Sequence, residues 1–161
     1  MIVERTPETD AFYAAFRTQV PNAPATYDVV AFGDTAALQD ELVALTLAGT
    51  KRATASLLRE YDHPPPALPK VDDHVVVVDG RGRPRCIWVT VEITIKPLIE
   101  VDDAFAWDEG EGDRSRDDWL RMHRDYFTAQ AAREGFEFGD EIPVVFERFR
   151  IVWPLEFADP T

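Results

Sequence analysis

Two segments in the first third of the chain place apolar side chains at helical spacing. The first covers residues 7–19, where Thr6 can serve as the N-cap and proline suits the first helical position. The second covers residues 35–48, where leucines recur four and three residues apart and Asp34 is a candidate N-cap. Gly49 follows at the place where helices often end on a residue with positive φ. We expect a helix in each segment.

A third helical segment begins near Ser115 and ends at Gly135. Ser115 and Asp118 stand at the spacing of a capping box, and glycine is the favoured residue just past a helix end. Its expected apolar face consists of Trp119, Met122, Tyr126 and Phe127.

Four further segments predict β-strands. Residues 52–58 follow the second helix, and residues 74–79 contain four consecutive valines, which is typical of a strand buried on both faces. Residues 144–152 form the last apolar run. Residues 85–96 alternate strictly, so one face should carry the more polar set Cys86, Trp88, Thr90, Glu92, Thr94 and Lys96.

Several strands, few helices and no regular strand–helix–strand rhythm predict an α+β fold, a small mixed β-barrel with flanking helices. We divide the chain into an N-terminal helical extension at residues 1–28, a barrel domain at residues 29–155 and a C-terminal tail at residues 156–161. A length of 161 residues is sufficient for a substantial hydrophobic core.

Composition narrows the classes of protein. Cys86 is the single cysteine, which excludes a disulfide framework and a cysteine-rich metal site. The chain begins without an apolar leader, and no stretch approaches the roughly 18–20 apolar residues of a membrane span. We therefore expect a cytoplasmic protein that does not bind membranes.

The net charge of −13 is unevenly distributed along the chain. Residues 51–100 carry 8 basic and 7 acidic side chains, whereas residues 1–50 carry 2 and 7, and residues 101–161 carry 7 and 16. An acidic protein grips long duplex nucleic acid poorly, because binding to phosphates depends on clustered positive charge. A small ligand or a few nucleotides remain compatible with the middle region.

Four ordered segments resemble the ASCH domain family. Residues 47–54, Leu-Ala-Gly-Thr-Lys-Arg-Ala-Thr, contain its Gly-x-Lys-x-x-Thr signature. Residues 68–73 resemble the turn before its valine-rich strand, residues 106–113 its Glu-Gly segment, and residues 143–149 its closing strand. The resemblance covers roughly residues 31–154 and implies a PUA-like barrel whose cleft receives a nucleoside or short single-stranded RNA.

The same resemblance implies three functions and a set of catalytic residues. Some small members hydrolyse N4-acetylcytidine, a non-catalytic RNA-binding module is the second alternative, and a metal-dependent ribonuclease, as described for other members, is the third. The signature lysine and threonine correspond to Lys51 and Thr54, and a downstream glutamate corresponds to Glu109. The first hypothesis is amide hydrolysis of a modified nucleoside, with Thr54 as nucleophile, Lys51 as its activator and Glu109 as acid or base.

The strand period sets a condition on this chemistry. Residues three apart in a regular strand point to opposite faces, so Lys51 and Thr54 converge only if Lys51 lies at the helix–strand junction or the strand bulges. Thr54 would share a face with Arg52 and Ser56.

Four other residues are candidates for substrate binding. Arg52 could stabilise an oxyanion, Ser56 lies on the face of Thr54, and Trp88 could stack on a base. Glu92 is the rival of Glu109 for the role of site carboxylate. His123 lies on or beside the apolar face of its helix, so packing is its simplest role.

The hydrolase hypothesis needs no cofactor, and no metal ligand set is predicted. A divalent cation belongs only to the ribonuclease alternative, in which acidic side chains around Glu109 would hold it. The helices added to the barrel could narrow the cleft, cover it or form the interface of a homodimer.

Overall fold

The computed structural model describes residues 1–62 and 67–161, so the proline loop predicted at residues 63–66 lies outside the described residues. Within those ranges the chain forms five strands and four α-helices. The strands are β1 (Asp28–Ala31), β2 (Ala53–Leu57), β3 (His74–Val78), β4 (Pro84–Pro97) and β5 (Pro143–Trp153). The helices are α1 (Pro7–Gln19), α2 (Ala36–Leu47), α3 (Asp103–Glu109) and α4 (Arg116–Glu134).

The five strands form one mixed sheet in the order β1-β3-β4-β5-β2. Strand β1 pairs in parallel with β3, and the other neighbours are antiparallel. The sheet curves into a half-barrel, which confirms the predicted α+β class with helices packed around a mixed sheet.

The helix ends follow local sequence signals closely. Thr6 caps α1 and Ser115 caps α4, each by accepting a hydrogen bond from a backbone N–H of the first turn. The predicted N-cap of α2 was wrong by one residue. Thr35, not Asp34, takes that position, and its hydroxyl accepts from the Leu38 N–H at 3.2 Å. As predicted, Gly49 follows the end of α2 and Gly135 the end of α4, with positive φ angles of 88° and 74°.

Two elements were not predicted from the sequence. Strand β1 has only four residues and depends on its parallel pairing with β3. Helix α3 has only seven residues and lies within an acidic stretch, which is too short for apolar residues to show a helical spacing in the sequence. Asp102 caps α3 by accepting from the Phe105 N–H at 2.7 Å, and Gly110 ends it at φ 75°.

A β-bulge changes the face of the sheet to which the side chains of β4 point. Thr90 pairs with Phe149 and Glu92 pairs with Arg148, which leaves Val91 without a partner in the ladder. One extra residue reverses the side-chain alternation beyond it. The prediction that Glu92 shares a face with Thr90 was therefore wrong.

Both faces of the half-barrel are covered. Val76 and Val78 pack with Tyr13 and Phe16 of α1, while the alternate valines of β3 pack with residues of α2. This accounts for the four consecutive valines and makes the N-terminal helix part of the core. In residues 1–62 and 67–161, every helix is too short or too polar to span a bilayer.

Candidate functional site

The signature segment lies where α2 passes into β2. The backbone N–H of Lys51 still donates to Leu45 O of the helix at 3.1 Å, and the strand begins only at Ala53. Lys51 is thus not part of the regular strand, and the strand period does not govern its direction. Its side chain and that of Thr54 line the same groove, so the condition set by the sequence is met at the junction.

Lys51 is completely buried and is surrounded by oxygen atoms. Its Nζ donates to Ala53 O at 2.8 Å and to Glu111 Oε2 at 3.0 Å, and Glu109 Oε1 lies 3.7 Å away. The ring centroid of Phe32 lies 5.1 Å from the same nitrogen. A buried ammonium group is tolerated only when it is paired in this way.

Glu109 is buried at the end of α3 and is bound by helix α4. The Trp119 indole N–H donates to Oε2, and His123 Nε2 lies 3.1 Å from Oε1. His123 Nδ1 lies 2.8 Å from the Trp119 carbonyl oxygen. Both partners of the imidazole are hydrogen-bond acceptors, an arrangement that suits the doubly protonated imidazolium form of His123.

The two glutamates of the cluster have opposite protonation tendencies. Burial opposes ionisation of Glu109, but the charges of His123 and Lys51 outweigh it and hold its pKa below the usual value. Burial, together with the Glu109 carboxylate, raises the pKa of Glu111 against the opposing charge of Lys51. Burial would also lower the pKa of His123, but the Glu109 carboxylate raises it. Glu109 therefore stays charged, and Glu111 is the carboxyl suited to proton exchange.

The turn between these glutamates is held against the Lys51 junction. Gly110 has φ 75°, and a Cβ there would collide with the carbonyl oxygen of Thr50. The Arg52 N–H donates to Asp108 O at 2.7 Å from the other side. Close backbone contact therefore fixes the distance between Lys51 and the Glu-Gly-Glu segment.

The groove continues past Thr54 along strand β2. Its two connected parts have volumes of about 230 and 470 Å³ and share Phe32, Thr54 and Ser56 as lining residues. The larger part contains Trp88 and Glu147. Together they match the usual size of a small-molecule site.

Glu147 of β5 is the direct partner of Thr54 of β2 in the antiparallel ladder. It is buried, and its Oε1 accepts a hydrogen bond from the Thr90 hydroxyl at 2.6 Å. Burial raises the pKa of Glu147 to about 7, although the hydrogen bond from Thr90 opposes this. The groove thus holds a second carboxyl whose pKa is raised by burial.

The structure brings five of the seven predicted site residues into this groove, namely Lys51, Thr54, Ser56, Trp88 and Glu109. The ring of Trp88 is packed between other aromatic rings, with Phe149 4.3 Å and Phe32 5.8 Å away between centroids. Its faces are therefore occupied, and only its edge can contribute to the groove.

Arg52 and Glu92 lie elsewhere. The Arg52 guanidinium donates to two backbone carbonyls and binds Asp159, which ties the C-terminal tail to the junction. Glu92 is exposed on the opposite face of the sheet and pairs with Arg148 at 3.1 Å. Between the two rival carboxylates, it is Glu109 that approaches Lys51.

Sequence analysis missed three residues of the groove: Glu111, His123 and Glu147. Glu111 lies in the Glu-Gly segment at residues 106–113, where several neighbouring acidic residues hide the individual role of one carboxylate. His123 follows Trp119 by one helical turn, which could have marked a shared face. Glu147 stands within an apolar strand, where a carboxylate is unusual.

Glu109, Glu111 and His123 also place three potential ligand atoms within 4.8 Å of one another. Carboxylate and imidazole groups can bind divalent cations. Here the Lys51 ammonium already supplies positive charge to both carboxylates, and the Glu109 carboxylate raises the pKa of His123 against the effect of burial. A metal ion would have to displace Lys51 and release the His123 proton.

The structure is thus a half-barrel sheet with flanking helices, and a buried lysine and two glutamates lie beside its cleft. The ASCH domain family model matches residues 28–153, and the chain belongs to that family. The resemblance seen in the sequence is thereby confirmed.

Two crystal structures share this fold over nearly the whole chain. The ASCH domain from Lactobacillus crispatus JV V101 is 26% identical with a TM-score of 0.83, covering 91% of this chain and 94% of the other. A protein from Enterococcus faecalis V583 is 27% identical with a TM-score of 0.82, covering 90% and 88%. No curated protein shows significant sequence similarity to this chain.

Proposed function

We propose that this ASCH-domain protein hydrolyses an acyl group from the exocyclic amine of a nucleoside, with N4-acetylcytidine as the representative substrate. The observation that carries the proposal is one groove that is lined by Lys51, Thr54 and Glu111 together. Acyl transfer needs a nucleophile, a proton acceptor and charge stabilisation, and these three groups can provide them.

In the first half of the reaction, the Thr54 hydroxyl attacks the acyl carbon and its proton passes to ionised Glu111. The tetrahedral intermediate collapses to a Thr54 ester as Glu111 returns the proton to the leaving exocyclic nitrogen. Water then attacks the ester, Glu111 accepts its proton, and the acid leaves as Thr54 regains its hydrogen. A carboxyl with a raised pKa suits this exchange, because its pKa lies nearer the working pH.

Lys51 has an electrostatic role in this mechanism. Its ammonium is held between two carboxylates, so it orients Glu111 and offers positive charge to the developing oxyanion. This differs from the expectation that Lys51 accepts the threonine proton. Glu109, bound by His123 and Trp119, is a positioning residue for Lys51.

The size and charge of the protein support a small substrate. The groove has the volume of a small-molecule site, and the net charge of −13 works against binding of long RNA. Hydrolysis by this mechanism requires no cofactor.

The test is an assay of the conversion of N4-acetylcytidine to cytidine, in which chromatography separates and quantifies the two nucleosides. We expect turnover by the wild-type protein and a loss of activity of at least about 100-fold in Thr54→Val and in Glu111→Gln. Glu92→Gln should keep the wild-type activity, because Glu92 is remote from the groove. Absence of wild-type turnover would sink the proposal, and full activity of Glu111→Gln would sink the mechanism.

A metal-dependent ribonuclease is the second candidate, favoured by the Glu109, Glu111 and His123 cluster. It predicts cleavage of a short single-stranded RNA that requires Mn²⁺ or Mg²⁺ and stops with a chelator. The Lys51 ammonium at 3.0 and 3.7 Å from the two carboxylates favours the metal-free hydrolase.

A further inference from the structure

The second half of strand β4 forms an exposed edge of the sheet. Strand β3 pairs with β4 only as far as Val89, and the loop before β3 adds two hydrogen bonds with the backbone of Thr90. Beyond this point β4 continues beside β5 alone. In the part of the chain that the structure describes, no strand and no backbone hydrogen bond from a loop adjoins the other side of residues 91–96. An open strand edge can accept a further strand.

The ladder with β5 determines which backbone groups of β4 point outward. The Phe149 N–H donates to Arg52 O, so the backbone groups of Phe149 face β2. Because these groups alternate in direction along a strand, those of the next residue, Arg148, face β4, where Arg148 is paired with Glu92. The same alternation points the N–H and C=O of Ile93 away from β5 and toward the open edge.

Ile93 and Ile95 therefore both present backbone hydrogen-bonding groups at this edge. Apolar side chains of the same stretch are poorly covered, since Val91 is 45% exposed and Ile95 is 43% exposed. The edge is limited by the bulge at Val91 on one side and by Pro97, which lacks an N–H, on the other. A partner strand can therefore pair in regular register with residues 92–96.

The sequence of this edge is complementary to itself. In an antiparallel pair, outward-facing residues lie opposite outward-facing residues, so Ile93 meets Ile95 of a second copy when a two-fold axis passes through Thr94. Glu92 then meets Lys96 of the second copy, and the symmetry repeats the pair. These charges fall at non-hydrogen-bonded positions, where the side chains of paired strands lie closest. Moving the axis by one residue in either direction removes both charge pairs.

We propose that a second copy of this chain pairs antiparallel with the open edge of β4, about a two-fold axis at Thr94, to form a homodimer. Ile93 and Ile95 then exchange backbone hydrogen bonds across the axis, and the two five-stranded sheets become one continuous sheet. The Glu92 side chain is 51% exposed beside Arg148, so it remains accessible to a lysine of the second copy. Small interfaces of this kind are weak, and the dimer exchanges with the monomer.

Analytical ultracentrifugation of the wild-type chain is the first test. It is run in about 0.15 M salt, which screens the repulsion between two chains of net charge −13. We expect the mass to rise from 18.2 kDa toward twice that value as the concentration increases from about 1 μM to about 1 mM. A single 18.2 kDa species over the whole range would overturn the proposal.

A proline at the edge tests whether β4 is the pairing surface. Ile95→Pro removes an N–H that does not bond β5, so the monomer should still fold, which thermal melts verify. The dimer should become at least about tenfold weaker, because the second copy loses a donor and meets the proline ring. A dimer of unchanged affinity in folded Ile95→Pro would show that another surface pairs.

Cysteine cross-linking tests the register and does not depend on the proline variant. The axis places Thr94 of the two copies directly opposite, with Cα atoms about 4.5 Å apart, a separation that suits a disulfide. Lys96→Cys is the matched control, because it faces Glu92 of the second copy, and the natural Cys86 is buried. Under mild oxidation Thr94→Cys should form at least about tenfold more covalent dimer than Lys96→Cys. Equal yields from the two variants would overturn the proposed pairing.

Discussion

Replacing Lys51 by methionine tests how strongly the buried charge cluster holds the fold together. Methionine keeps most of the apolar side chain and removes the ammonium group. The exposed fractions of the side chains are 1% for Lys51, 3% for Glu109 and 17% for Glu111, so solvent can replace little of the lost charge.

The magnitude follows from the contacts of Nζ. It donates two hydrogen bonds, to Ala53 O and to the Glu111 carboxylate, and hydrogen bonds of charged groups contribute about 1.5–3 kcal/mol each. Glu109 keeps His123 as a partner, which limits the penalty. We expect Lys51→Met to lower the free energy of unfolding by about 3–5 kcal/mol, the usual cost of breaking a buried ion pair.

The loss should depend on pH in a defined direction. The pKa of Glu109 is depressed below its ordinary value of 4.5, so its ion pairs stabilise the fold above pH 4.5 and lose effect as pH falls through the folded-state pKa. Removing Lys51 weakens that depression. The difference between variant and wild type should therefore be complete at neutral pH and shrink in acid.

Urea unfolding measured at neutral and acidic pH gives both quantities, provided that the m-values agree. The double variant Lys51→Met/Glu111→Gln is the matched control, because it removes the carboxylate left without its partner, and we expect it to recover about 1–2 kcal/mol. A single-variant loss below about 1 kcal/mol, or one that is the same at both pH values, would refute the argument.

Three further predictions concern the surroundings of the cluster. In urea unfolding, Gly110→Ala should destabilise the protein by at least about 2 kcal/mol more than Gly135→Ala. Both glycines have positive φ, but only at Gly110 would the added Cβ collide with a backbone carbonyl, that of Thr50. Equal losses of stability would contradict this. Glu92→Gln should change stability by less than about 1 kcal/mol, since its pair with Arg148 is exposed, and a larger shift in thermal melts would be inconsistent with its placement. His123→Gln should lower the free energy of unfolding more below pH 6.5 than well above it. The pKa of His123 is raised in the folded protein, so its contribution to stability is complete below pH 6.5 and is lost as pH rises through the folded-state pKa. A difference that stays constant across pH would contradict a charged His123.

The sequence was informative wherever a structural choice depends on near neighbours. Thr6 and Ser115 marked helix starts, and Gly49 and Gly135 marked helix ends, because capping involves groups within one turn. The run of valines in β3 indicated burial on both faces, which α1 and α2 provide. The ordered motifs also located Lys51 and Thr54 before any geometry was known.

Long-range pairing decided the rest. The bulge at Val91 turned Glu92 away from the groove, and no local pattern specifies where a ladder gains an extra residue. Lys51 meets Glu111 across 60 residues of chain, and Thr90 meets Glu147 across 57. Contacts of this kind arise from strand register and helix packing, which bring together side chains that are distant in sequence. The sequence by itself therefore determined the helices α1, α2 and α4, the fold class and the signature segment, whereas only the tertiary structure decided which carboxyl groups stand beside Lys51 and how their surroundings shift their pKa values.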